Sequence, residues 1–178
     1  NVNQVLEEVQ QLLRQTLPSR IKLECKLQKD LSFVMAGSTQ LEQVLLNLVM
    51  NAMDAMPNGG KISIKSRMMV PDERFRRSHV WAKKARYIEG MVKDAGEGMP
   101  PEVLERIFDP FFTTKEPGKG TGLGLSITYS TLENYDGSIL AESQVGQGSC
   151  FKIYLPAMID KEAEEALEAP GKEEITPR

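Results

Sequence analysis

Residues 40–56 are apolar at most positions, with Leu41, Val44, Leu45, Leu46, Leu48, Val49, Met50, Ala52, Met53 and Met56 wrapping nearly all the way round a helix. The polar exceptions Gln40, Gln43, Asn47, Asn51 and Asp54 fall on one narrow stripe. A helix packed on most sides does not leave amides and a carboxylate unpaired, because each such group costs about 1–3 kcal/mol. The stripe therefore belongs either to a polar network in the core or to the wall of a ligand cavity.

The pattern predicts a helix over 3–15, apolar at Val5, Leu6, Val9, Leu12 and Leu13, with Asn3 as its cap and Pro18 helping to stop it. Residues 21–27 alternate as a half-buried strand does, and 33–35 is expected to be a short companion. Thr39 and Glu42 have the spacing of a capping box at the head of the polar-striped helix, and Pro57-Asn58-Gly59-Gly60 closes it. Strands are expected at 61–68 and 87–93, a short helix at 101–107, a helix at 122–135, and a hairpin of 138–143 with 149–155. Helices set apart from a mixed run of strands predict an α/β (α+β) two-layer sandwich, a mixed sheet on about three helices.

Composition narrows the class. At 178 residues and 40% hydrophobic content, the chain buries one sizeable core. No apolar run approaches the ~18–20 residues of a membrane span, and no signal-peptide pattern opens the chain, so a cytoplasmic setting without membrane contact is expected. Cys25 and Cys150 are isolated thiols, and His79 is the single histidine, which excludes a His-rich metal site. The net charge of −3 is uneven: residues 160–178 hold seven acidic and three basic side chains. Their Ala/Glu/Lys composition reads as an acidic linker or disordered tail over 159–178, following a folded unit of 1–158. Residues 71–86 carry Arg74, Arg76, Arg77, Lys83, Lys84 and Arg86 with Phe75 and Trp81. No nucleic-acid recognition fold accompanies this basic insert, so a solvated segment is expected, with His79 as a surface or packing residue.

Two further segments carry chemistry. Residues 118–126, Gly-Lys-Gly-Thr-Gly-Leu-Gly-Leu-Ser, form a glycine-dense loop running into a helix, where backbone N–H groups and the helix N-terminus favour a phosphate. The spacing is neither a Walker loop nor a Rossmann fingerprint. A β-like segment from Tyr87 ends in Asp94-Ala-Gly96-Glu-Gly98-Met99, which by itself is an ordinary turn composition.

In order, the Asn47-Leu-x-x-Asn51-Ala-x-Asp54-Ala helix, the Asp94–Met99 turn, the Phe-rich segment around Phe108, Phe111 and Phe112, the 118–126 loop and the Gly146/Gly148 turn resemble the ATP-binding domain of bacterial sensor histidine kinases. That family is grouped with gyrase, mismatch-repair and heat-shock chaperone ATPases, and the resemblance runs over about 1–157. It implies a Bergerat-type fold with a mobile lid, and ATP and Mg²⁺ as cofactors. Asp94 would accept from the adenine amine, while Gly96 and Gly98 would let the backbone approach the base. Asn51 would hold Mg²⁺, and Asn47, Asn51 and Lys115 would carry the catalysis. Asp54, Met99, Phe108, Thr114, Lys115, Lys119, Gly120, Thr121, Gly122, Leu123, Gly124, Leu125 and Ser149 would complete the nucleotide site, with the phenylalanines anchoring the lid.

Gyrase-like and chaperone ATPases carry a glutamate general base one turn before the metal-binding asparagine. Here that position is Asn47, which disfavours hydrolysis and leaves transfer to a stronger nucleophile. The resemblance implies a catalytic domain of the nitrogen-regulatory or hybrid type. Its partner would be a separate dimerisation and phosphoacceptor domain and, indirectly, a response-regulator receiver, the fragment being monomeric and the parent a homodimer. The alternatives are an ATP-binding module without kinase activity and a hydrolysing clamp.

Overall fold

In the computed structural model, which describes residues 1–116, 118 and 120–158, ten elements follow one another. They are α1 (Val2–Thr16), β1 (Ile21–Leu27), α2 (Ser38–Asp54), β2 (Gly60–Met69), α3 (Glu73–Ser78), β3 (Tyr87–Asp94), α4 (Pro101–Leu104), α5 (Gly124–Glu133), β4 (Ser138–Gln144) and β5 (Gly148–Pro156). Lys119 and the 159–178 tail, both singled out from the sequence, lie outside the described residues.

The five strands make one mixed sheet in the order β1-β2-β3-β5-β4. β1 and β2 run parallel, with Leu23 beside Ile62, and the other pairs are antiparallel. The parallel pair needs a crossover, and α2 supplies it. Alternate residues of each strand point to one face: Ile62, Ile64, Ile88, Val92, Phe151, Ile153 and Leu155 join the core with Val5, Leu6 and Val9 of α1, Val44, Leu45, Leu48 and Val49 of α2, and Leu132 of α5. This is the expected two-layer sandwich, with three helices on one face.

Several local expectations are corrected. Helix α1 starts one residue early and is capped by Asn1, whose Oδ1 accepts from the Asn3 and Gln4 N–H groups. Asn3 is therefore already helical; its amide donates to the Gln28 carbonyl at 2.7 Å and accepts from the Ser66 hydroxyl at 3.3 Å. Thr39 is not a cap either, because α2 begins at Ser38 with Gly37 as its N-cap and no side-chain bond there. Residues 33–35 form no strand; Phe33 and Met35 are 60% and 75% exposed, and the Phe33 carbonyl accepts from the Met158 N–H. The short helix ends at Leu104, not 107. Helix α5 starts at Gly124, two residues later than expected, because Gly122 has φ +67° and cannot be helical.

The basic insert folds as α3 and a turn on the opposite sheet face. Trp81 sits 5.0 Å from Tyr154 and 5.5 Å from Tyr87, and Phe75 stacks on His79 at 4.2 Å. Arg76 donates to the Pro71, Ala82 and Lys84 carbonyls, so one of the insert's cations is consumed in holding its turn. His79 is a packing residue.

Candidate functional site

Where α2, the end of β3, the β4–β5 hairpin and the loop before α5 meet, they enclose a cleft of about 350 Å³. That lies within the ~300–1,000 Å³ usual for small-molecule sites. Ile107, Phe112, Leu125 and Phe151 give it apolar walls, and Asn51, Asp94, Lys115 and Ser149 bring polar groups to it.

Asp94 closes β3 with 4% exposure. Its Oδ1 accepts from the Gly96 N–H at 2.8 Å and the Ser149 N–H at 3.2 Å, which leaves Oδ2 for a ligand. Burial pushes its pKa above the ordinary aspartate range, and those two N–H bonds pull it partly back. The flanking glycines answer to the protein more than to a ligand. A Cβ on Gly96 would lie 2.6 Å from the Ala55 carbonyl oxygen, and one on Gly98, at φ +68°, 2.0 Å from that of Gln144. Gly98 lines the cleft, whereas Gly96 is not among its lining residues.

The α2 stripe divides. Gln40 and Gln43 are solvent-exposed, and so is Met50 at 54%, so α2 is less enclosed than its sequence implied. The Asn47 amide donates to the Gly124 carbonyl at 3.2 Å and the Thr128 hydroxyl at 3.4 Å, clamping α2 to α5. Asn51, one turn on, lines the cleft, and its amide makes no hydrogen bond among the described residues. Asp54 forms an ion pair with Lys115 across the cleft mouth.

The loop before α5 is pinched at its base. The Phe111 N–H donates to the Gly122 carbonyl at 2.9 Å, and a Cβ on Gly122 would fall 2.4 Å from the Phe111 carbonyl carbon, so only glycine permits the crossing. Between these points Phe112, Thr113, Thr114, Lys115, Gly120 and Thr121 turn toward the cleft. Gly124 opens α5 with no acidic residue in the first turn, so the helix N-terminus keeps its positive character toward the cavity.

Residues 36–159 match the family described as "Histidine kinase-, DNA gyrase B-, and HSP90-like ATPase". The chain belongs to that family. It carries an ATP-binding domain homologous to sensor histidine kinase catalytic domains. It is 40% identical over 173 residues to the sensor kinase CckA of Brucella abortus, covering 97% of this chain and 18% of that protein. Sporulation kinase A of Bacillus subtilis is 39% identical over 157 residues, covering 88% and 23%. The chain thus spans about a fifth of the length of these relatives. The solved catalytic domain of histidine kinase ThkA superposes with a TM-score of 0.70 at 33% identity, covering 88% of this chain and 93% of that one.

Of the residues singled out from the sequence of this ATPase-family domain, Asn51, Asp94, Gly98, Met99, Thr114, Lys115, Gly120, Thr121, Gly122, Gly124, Leu125 and Ser149 converge on the cleft. Asn47, Asp54, Gly96, Phe108 and Leu123 are not among its lining residues. Phe108 instead packs on Tyr129 at 5.6 Å, and Leu123 is the N-cap of α5. Phe112, read as a lid anchor alone, lines the cavity, while the equally placed Phe111 is 75% exposed. Ala55, Glu97, Val103, Ile107, Thr113 and Phe151 also line it; all but Val103 lie in or beside the quoted motifs, yet none was expected at the site. A wall for a flat apolar ligand has the same composition as a core, so apolar side chains such as Ile107 and Phe151 carry no local signal that they line it.

Proposed function

We propose that this cleft binds Mg-ATP and that the domain passes the γ-phosphoryl group to a histidine of a separate dimerisation and phosphoacceptor domain in the parent protein. The reading is carried by one observation: a buried carboxylate whose free oxygen can only accept, set across one cavity from a lysine, a glycine loop and a helix N-terminus. Asp94 Oδ2 takes the adenine amine, Phe112, Ile107 and Phe151 flank the base, and the N–H groups of Gly120–Gly124 with Lys115 meet the phosphates. Mg²⁺ would be held by the Asn51 amide oxygen, which makes no hydrogen bond among the described residues, with phosphate oxygens and water, and would neutralise charge as the phosphoryl group moves. An imidazole nitrogen attacks the γ-phosphorus, the bond to the β-phosphate oxygen breaks and ADP leaves.

Transfer is favoured over hydrolysis because the position that would hold a base carries an amide already bonded to Gly124. The names of the relatives agree, and ThkA has been solved with the response regulator TrrA. In this reading residues 1–158 are the catalytic domain, 159–178 an acidic linker, and the setting cytoplasmic, with no nucleic-acid or membrane partner. In the same reading the domain is monomeric and the parent protein a homodimer. Among the described residues no helix is long and apolar enough to cross a membrane. The test is incubation with γ-labelled ATP and a supplied phosphoacceptor domain. Acid-labile label on its histidine, lost in Asn51→Ala, is expected; release of free phosphate without labelled histidine would replace transfer by hydrolysis.

A further inference from the structure

Ser143 lies directly across from Ser149 in the β4–β5 ladder, beside the cleft. Its Oγ accepts from the Met99 N–H at 2.8 Å, donates to the Gly148 carbonyl at 3.1 Å and lies 2.9 Å from the Ser149 Oγ. A hydroxyl has one proton and two lone pairs, so these three contacts exhaust it. The carbonyl can only accept, and the reverse assignment would leave its oxygen facing a Ser143 lone pair. The proton between the two hydroxyls therefore comes from Ser149. Ser149 is 6% exposed, lines the cleft and gives its backbone N–H to Asp94. With its hydroxyl proton directed at Ser143, Ser149 has only lone pairs left for a ligand.

We infer that Ser143 is a specificity-determining positioning residue: it fixes the proton of Ser149 so that the base end of the cleft presents acceptors alone, Asp94 Oδ2 and Ser149 Oγ. Such an end takes a purine whose exocyclic group donates, as in adenine, and opposes one bearing a carbonyl there, as in hypoxanthine. An acceptor facing an acceptor leaves both without a partner, which disfavours the carbonyl-bearing base. Ser143 touches no ligand in this scheme. It acts through Ser149, and the inference rests on the reading of the cleft as a nucleotide site.

The test is calorimetric titration of the protein with ATP and with inosine triphosphate, each with Mg²⁺. The wild type is expected to prefer ATP. Ser143→Ala frees the Ser149 proton to meet the inosine carbonyl, and should lower the ATP-to-ITP affinity ratio by about three- to tenfold, the scale of one neutral hydrogen bond. Ser143→Thr keeps the hydroxyl and should keep the wild-type ratio. In a Ser149→Ala background, adding Ser143→Ala should leave the ratio where Ser149→Ala alone sets it. Ser143→Cys, which preserves volume and weakens the acceptor, should move the ratio in the same direction as alanine and serves if the alanine variant does not fold. Equal losses of ATP and ITP affinity in the Ser143 variants would reduce Ser143 to a clip on the turn and overturn the inference. So would a ratio shift that persists without Ser149. A wild type that binds neither nucleotide would fail at the earlier step, the nucleotide reading itself.

Discussion

The side-chain amide of Asn47 donates to the main-chain carbonyl of Gly124, 77 residues away, and so fastens α2 to the helix behind the glycine loop. That bond needs a donor. Asn47→Glu puts a carboxylate oxygen against the Gly124 carbonyl, and should destabilise the domain by about 1–3 kcal/mol in urea unfolding. It should not create appreciable hydrolysis, because the installed carboxylate is repelled from the seat the amide occupies. Unchanged stability with new phosphate release would show that position 47 is open to the cleft.

Asp54 and Lys115 compete with any phosphate for each other. Releasing the lysine by Asp54→Asn should raise affinity for ADP and ATP by up to about fivefold, the scale of a partly exposed ion pair of ~0–1 kcal/mol. Lys115→Ala should weaken both nucleotides. Weaker binding in Asp54→Asn would instead make Asp54 a nucleotide contact.

For Asp94, burial raises the carboxyl pKa above its ordinary value. The base contact needs the ionised form, so ATP affinity should be full above the raised pKa and fall as pH drops through it, at higher pH than for an ordinary aspartate. In the free protein the same shift means the folded state binds this proton more tightly than the unfolded chain does. Asp94 therefore costs stability at neutral pH, and the cost is relieved as pH falls through the folded value. Asp94→Asn should abolish ATP binding, because an amide turned to accept presents its NH₂ to the neighbouring N–H groups, and unfolding should lose this acid dependence. Wild-type affinity in the variant would remove Asp94 from the site.

Gly98→Ala should lower stability before it affects a ligand, since the added methyl meets the Gln144 carbonyl at 2.0 Å and the backbone has φ +68°. A cost of about 2 kcal/mol or more is expected in unfolding without nucleotide. Normal stability with lost affinity would restore the glycine to a ligand role.

Trp81→Ala tests the basic insert as a structural patch. Truncating a half-buried tryptophan that meets Tyr87 and Tyr154 should cost about 2–4 kcal/mol and leave ATP affinity unchanged. A nucleotide effect would tie the far sheet face to the cleft.

The sequence by itself determined the elements whose signals are local. Alternation over 21–27 became β1, the strand expected over 87–93 became β3, the apolar periodicity of 40–56 became α2, and the order of Asn, Asp-Gly and Gly-rich segments named the family and most of the cleft. Each depends on residues a few positions apart, where chain geometry leaves little freedom. Tertiary structure decided which partner each polar group received. Asn47 and Asn51 are indistinguishable as amides on one stripe, and only the approach of α5 gives Asn47 a carbonyl while leaving Asn51 to the cavity. Gly96 and Gly98 look like room for a base until Ala55 and Gln144 are brought against them. The acceptor character of Ser149 likewise depends on a hydroxyl six positions earlier, placed beside it by the hairpin register. Hydrogen bonds and steric contacts act over about 3–4 Å, and distances that short between residues far apart in the chain are set by packing.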